Sequence, residues 1–142
     1  MVFSKSFGYA LRGILYVAAA GDKVHLYEIA ERLSVPRHFL GKIMRNMVSQ
    51  GILSSEKGSK GGFYINESTL GVSLQQLVEA TGEMDEPGSC VLRLRKCNSA
   101  NPCPLHRDIE VLKTQWQHLL ANTTVEDLLS KNNPLFIQSI AI

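Results

Sequence analysis

Apolar residues recur every three to four positions over residues 5–20, placing Phe7, Leu11, Ile14, Leu15 and Ala18 on one side of a predicted helix that Gly21-Asp22 would end. Gly8 and Gly13 inside this run each cost about 1 kcal/mol relative to alanine, so such a helix must be held by packing. Residues 26–33, LYEIAERL, give a shorter second helix with Leu26, Ile29, Ala30 and Leu33 inward. Ser34-Val35-Pro36 breaks it, with Ser34 a cap candidate and Pro36 suited to the first turn of a third helix. That helix, 36–49, is predicted to bury Phe39, Leu40, Ile43, Met44, Met47 and Val48, and to present Arg37, His38, Gly41, Lys42 and Arg45 outward. Gly51 stands where it would stop.

Two strand-like runs follow, ILSSE and FYI, joined by the glycine-rich KGSKGG. Three helices and then a hairpin is the order of a winged helix-turn-helix. Farther along, SLQQLVEA at 73–80 predicts a short helix, 82–103 a loop, and 104–121 a long helix carrying Ile109, Leu112, Trp116, Leu119 and Leu120. Too little chain surrounds that broad stripe to cover it, whereas a second copy of the same helix would, giving a two-fold homodimer. One or two further turns are expected over 124–129, and the apolar tail LFIQSIAI is expected to dock on the body or the partner. The expected fold is mainly α with a small β-hairpin wing: a winged helix-turn-helix over 1–70, a short helix and cysteine-containing loop over 71–103, and a dimerisation helix with C-terminal tail over 104–142.

A length of 142 residues suits one ordinary domain, and 44 % hydrophobic with 20 % charged residues is a soluble globular composition. Fifteen basic against 13 acidic residues decide little about partners; their placement decides more. Positive charge gathers on the third helix, at Arg37, His38, Lys42 and Arg45, and on the wing loop, at Lys57 and Lys60. A helix of this diameter fits the major groove of B-form DNA, and small-residue wing loops approach phosphates closely. Lys5 and Arg12 of the first helix would hold the DNA backbone on the same side. A solvated polar face explains any one charged helix, but helix spacing and wing composition support each other, so double-stranded DNA is the expected partner. The apolar start could pass for a secretory signal, yet the same residues complete the first helix, and the cytoplasm is the expected location. No run reaches the length of a membrane span.

All three cysteines fall in CVLRLRKCNSANPCPLH: Cys90, Cys97 and Cys103, with His106 three places after the last. An odd number of clustered thiols argues against a disulfide framework and for metal or redox chemistry. With Pro104 at the first helical position, Cys103 is predicted to be the N-cap of the long helix, with His106 on the same face as a fourth donor. Three thiolates and an imidazole suit zinc or an iron-sulfur cluster, and the absence of a close cysteine pair favours the wider inorganic core. The rival readings are inert buried thiols, a Cys97–Cys103 redox disulfide without metal, and a small thiol peroxidase with Cys103 as nucleophile. No supporting catalytic groups accompany that thiol, so the chain is not expected to be an enzyme.

Together, YALRGILYVAA, LYEIAERLSVPRHFLGKIMRNMVSQGIL, SSEKGSKGGFYI and the cysteine triad resemble the Rrf family of winged-helix regulators over nearly the whole chain. The resemblance implies a homodimer that represses or activates promoters, repression being the expectation, and that binds a 2Fe-2S or 4Fe-4S cluster through Cys90, Cys97 and Cys103. His106 matches the histidine of the IscR-like branch, while Gly8 stands where NsrR-like members recruit an acidic residue. For DNA, Tyr9, Arg12, the third-helix face and the wing from Lys57 through Ser59 and Lys60 to Gly61 match the family's contact regions. Gly41 departs from them by removing a side chain from the groove-facing side. Cluster-free members imply an alternative, a regulator controlled by thiol oxidation or a partner protein.

Overall fold

The computed structural model of the protein describes residues 3–82 and 100–131. Helix α1, Lys5–Ala20, starts where Ser4 Oγ accepts the Phe7 N–H at 3.0 Å, and it buries Phe7, Ala10, Ile14, Leu15 and Val17. Its Gly13 is a packing residue: a Cβ there would lie 2.9 Å from Met44 Sδ, so α1 and the third helix meet with almost no clearance. Helix α2, Leu26–Leu33, ends at Ser34, whose left-handed φ of 53° turns the chain while its N–H closes the last turn onto Ala30 and Glu31 carbonyls. Ser34 is therefore a cap of the second helix and not of the third. Arg12 Nη2 donates to the Leu33 carbonyl at 2.7 Å and so satisfies an orphan acceptor at the same helix end.

Helix α3, Arg37–Ser49, starts one residue later than expected, with Pro36 as its N-cap, because the ψ of 125° at Pro36 is outside the helical range. Leu40, Gly41, Met44 and Met47 are buried. Two expectations for this helix are corrected. Phe39 is 42 % exposed rather than inward, its ring edge-on to Tyr9 at 5.7 Å. Gly41 is buried rather than outward, with Leu26 Cδ2 and an Arg45 guanidinium nitrogen each 3.0 Å from where its Cβ would stand. Glycine here lets α2 close on α3.

Strands β1, Ser54–Glu56, and β2, Gly62–Tyr64, pair antiparallel with Ser55 opposite Phe63. Val24 adds a further rung, exchanging backbone hydrogen bonds with Phe63 at 2.9 and 2.8 Å, so the hairpin is stitched to the turn before α2. Below the wing, buried Thr69 opens a 3-10 turn over Thr69–Gly71 and donates its hydroxyl to the Ile52 carbonyl at 2.7 Å. Helix α4, Leu74–Ala80, begins with a reciprocal capping box between Ser73 and Gln76.

Helix α5, His106–Asn122, starts two residues later than expected. Residues 104–105 form a turn and Leu105 is the N-cap, so Cys103 lies before the cap and Pro104 is not in the helix. Leu120 and Val125 join the hydrophobic cluster that runs from Phe7 onward, and backbone bonds from Leu74 to Thr123 (2.9 Å) and from Val125 to Val72 (3.0 Å) tie the end of α5 to the head. Helix α6, Val125–Lys131, completes the described chain. Among the described residues no helix is long and apolar enough to cross a membrane. The tail LFIQSIAI lies outside the described residues.

The α6 start carries a second reciprocal cap, with Thr124 N–H donating to Asp127 Oδ2 at 2.9 Å and Asp127 N–H donating to Thr124 Oγ1 at 3.2 Å. The Thr124 backbone N–H, its hydroxyl and then Lys131 hold the Asp127 carboxyl below its ordinary 3.8. A depressed folded-state value means stabilisation that is present above the unfolded value and lost as pH falls through the folded one. Asp127→Asn is expected to lower the melting temperature at pH 7, with the gap to wild type closing below about pH 4. A gap in thermal melts that persists undiminished to pH 2 would remove this role of the carboxylate.

Candidate nucleic-acid interface and cysteine turn

Helix α3 projects from the body because one side of it is occupied by Leu40, Met44 and Met47 packed on α1 and α2, leaving Arg37, His38, Lys42 and Arg45 exposed. On the neighbouring wing the tip residues Lys57, Ser59 and Lys60 are exposed as well. Gly61 is buried, and its amide closes the tip by donating to the Gly58 carbonyl at 3.0 Å. Of the first-helix residues singled out by sequence, Lys5 is exposed and Tyr9 half-buried, touching α3 through Phe39. Arg12 is half-buried and engaged with the α2 terminus. The basic residues of α3 and of the wing thus stand exposed on two elements of one fold, the wing being tied through Phe63 and Val24 to the segment that leads into α2, which packs on α3.

Several groups that sequence reasoning passed over fix this arrangement. Lys23 pairs with Glu56 of β1 and lies 5.6 Å from the Tyr64 ring centre. The Lys23 ammonium is held above its ordinary range by that carboxylate. His25, at the N-cap of α2, bonds the wing tip through Nε2 to the Ser59 carbonyl at 2.9 Å. At the far end of α3, Asn46 Nδ2 donates to the Ala80 carbonyl at 2.5 Å and Gln50 Nε2 reaches the same oxygen at 3.4 Å. These are contacts across 30 or more residues, for which a local pattern has no signal.

Cys90 and Cys97 lie outside the described residues. Cys103 is a free, half-buried thiol in the turn before α5, and its carbonyl accepts the His106 N–H at 3.0 Å. The His106 side chain is only 15 % exposed, with Nε2 3.8 Å from Glu110 Oε2. Sulfur and imidazole therefore sit on consecutive parts of one backbone turn. Among the described residues no group of three or more His, Cys, Asp or Glu side chains gathers as a metal site.

Helix α5 carries one broad apolar stripe with a covered and an exposed flank. Ile109, Lys113 and Trp116 are half-buried against the body, where Phe3 bridges to α1 by stacking on Phe7 at 3.9 Å and meeting Trp116 at 4.8 Å. On the adjoining flank Leu105, Leu112 and Leu119, seven residues apart, are 44–47 % exposed, with Val111 at 57 %.

The Rrf2 family, described as an iron-dependent transcriptional regulator, matches residues 3–131. A protein of Aquifex aeolicus (strain VF5) described as an HTH-type transcriptional regulator is 34 % identical over 133 residues, covering 92 % of each chain. Protein rrf2 of Nitratidesulfovibrio vulgaris is 26 % identical over 110 residues, 76 % of this chain and 69 % of its own. In fold, the chain superposes on CymR, the global cysteine regulator of B. subtilis, with a TM-score of 0.72 at 19 % identity, covering 94 % of this chain and 99 % of that one. It superposes on T. potens IscR with a TM-score of 0.69 at 16 % identity, covering 95 % and 90 %. With three helices, a hairpin wing and this match over its described length, the chain belongs to the Rrf2 family of winged-helix transcriptional regulators.

Proposed function

We propose that the protein is a homodimeric promoter-binding regulator, acting as a repressor, whose affinity for DNA is set by an iron-sulfur cluster held by Cys90, Cys97, Cys103 and His106. The observation that carries the cluster half is the placement of all the chain's thiols within 14 residues of sequence, the last of them one backbone turn from an imidazole at the start of α5. The family's iron-dependent description agrees with that donor set. Thiolate and imidazole are the ligand types that a 2Fe-2S or 4Fe-4S core takes. Bound there, the cluster would supply a redox-sensitive and chemically labile centre.

The chain's own residues provide the reading head and its link to the cysteines. Arg37, His38, Lys42 and Arg45 enter the major groove, with residues of the first turn nearest the base edges. Lys57, Ser59 and Lys60 take phosphates beside it, and Lys5 and Tyr9 flank the groove from α1. Arg12 and Gly61 support these contacts from behind, one by closing α2 and the other by closing the tip. Residues 83–99, which carry Cys90 and Cys97, join α4 to the turn that carries Cys103. Because α4 ends at Ala80, whose carbonyl Asn46 and Gln50 of α3 both grip, a change in the cysteine segment reaches the recognition helix through two side chains.

Anaerobic purification and duplex titration test this. Visible absorption is expected from the wild type and is expected to vanish in Cys90→Ser, Cys97→Ser and Cys103→Ser. Loaded and apo protein are expected to differ in affinity for a selected duplex by roughly 5–150-fold at matched salt. Equal affinities would refute the coupling. A protein that stays colourless after reconstitution with iron and sulfide would favour a cluster-free, thiol-controlled regulator, the reading that likeness in fold to a cysteine regulator keeps in play.

A further inference from the structure

We propose that His25 is a positioning residue for DNA binding: it acts as a tether that holds the wing tip, and with it Lys57 and Lys60, at a fixed place beside the recognition helix. This rests on the DNA reading above, in which His25 had no part.

The N-cap of a helix favours Ser, Thr, Asp or Asn, whose oxygen accepts an orphan N–H of the first turn. At the α2 N-cap this chain has a histidine with extended backbone, φ −69° and ψ 147°, and its side chain makes no capping bond. The ring instead reaches out of its own helix, stacks on Tyr27 at 5.6 Å with an interplanar angle of 18°, and bonds the Ser59 carbonyl through Nε2 at 2.9 Å. A carbonyl only accepts, so Nε2 is the donor, in either charge state of the ring. Tyr27, 53 % exposed, buries little against the body and instead fixes the plane of the imidazole.

What this bond constrains follows from peptide geometry. The Ser59 carbonyl shares a rigid plane with the Lys60 amide, so pinning the oxygen orients the Lys60 backbone. Lys57 lies two residues before Ser59, within the same tight turn. The other ties between the wing and the 22–25 segment, Val24 to Phe63 and Lys23 to Glu56, act on the strands, farther down the hairpin. His25 reaches the tip itself. Without it the lysines would sample many directions, and each phosphate contact would carry a larger ordering cost.

The test compares His25→Ala and His25→Gln, since a glutamine amide nitrogen can donate from nearly the place of Nε2. Each is titrated with a labelled mixed-sequence duplex of about 30 base pairs over a range of salt concentrations, a probe that needs no knowledge of the operator. His25→Ala is expected to bind roughly 3–10-fold more weakly and to lose about one unit of the slope of log affinity against log salt, the signature of one lost phosphate contact. His25→Gln is expected to restore both. In a double-mutant cycle, Lys60→Ala is expected to weaken the wild type but to add little to His25→Ala, because the two act as one unit. In the free protein, His25→Ala is expected to speed hydrogen exchange at the Gly61 amide, and His25→Gln to return it toward wild type. That last arm uses no DNA, so a wild type that binds no duplex would overturn the DNA reading, while exchange would still decide the tether. Wild-type exchange in His25→Ala, or glutamine failing to rescue exchange and slope, would overturn the proposal.

Discussion

Leu112→Asp combined with Leu119→Asp is expected to make the protein monomeric and to weaken its binding to a selected duplex about 100-fold or more, without lowering its melting temperature as a core substitution would. Leu105 at the N-cap of α5 and Leu112 and Leu119 within it form a stripe with a seven-residue repeat, each close to half exposed. From Leu105 at the N-cap to Leu119 the stripe presents about 21 Å of apolar seam. The flank turned toward the body belongs to other residues, Ile109, Trp116 and Leu120, which hold α5 in place. A two-fold partner would bring each seam residue near its own copy, and aspartates there would face aspartates across a desolvated surface. Loss of the pair removes the second reading head from simultaneous engagement, which is where a dimer gains about 10²–10⁴ in apparent affinity. Thr114→Asp, exposed and on the side of α5 opposite the stripe, is the control. Sedimentation and duplex titration decide it. A double variant that stays dimeric, or a monomer with undiminished affinity, would remove α5 as the dimer seam.

Much of this architecture was legible because the helices of the head obey a simple period. Helices α1 and α2 fall on the residues that apolar spacing assigns, and α4 lies within the predicted 73–80. The errors have physical causes. Phe39 matches the apolar period of α3, but periodicity registers hydropathy only, and this ring contacts Tyr9 at the surface. Gly41 has no side chain to weigh, so it was carried to the polar face by its neighbours, although Leu26 fills the space a Cβ would need. Pro104 is a legitimate first helical residue, yet the chain spends 104–105 on a turn, and helix ends are where local signals are weakest by a residue or two. At the candidate site the charged residues were readable from composition, whereas His25, Asn46 and Gln50 were not, since each acts on a backbone oxygen 30 or more residues away. The cysteine triad was visible as spacing alone, and two of its members lie outside the described residues.

Gly61→Ala is expected to disable the wing, and the reason is clearance rather than helix or strand propensity. A Cβ at Gly61 would stand 2.0 Å from the Glu56 carbonyl oxygen, 2.7 Å from its carbon and 2.8 Å from the Lys57 carbonyl carbon. All three are backbone atoms of the hairpin, so no rotamer change relieves the clash. The next residue offers no slack either, because Gly62 has φ of 135° and would bring a Cβ within 2.6 Å of the Val24 oxygen. Re-forming the turn would therefore break the Gly61–Gly58 bond or the Val24–Phe63 rung, at a cost of about 1–3 kcal/mol for the strained backbone. In a chain of this size that corresponds to a fall in melting temperature of roughly 3–10 °C. Displacing Lys57, Ser59 and Lys60 together is expected to cost the duplex affinity about tenfold or more and to flatten its salt dependence, since two phosphate contacts go with them. Gly8→Ala separates clearance from propensity, because nothing lies within 4 Å of its Cβ position at the end of the first turn of α1. Adding that methyl is expected to raise stability by about 0.5–1 kcal/mol. Thermal melts of the two variants beside wild type give opposite signs if steric room at the hairpin is what glycine provides there, and a Gly61→Ala protein that melts and binds as wild type would show that the turn can be rebuilt without it.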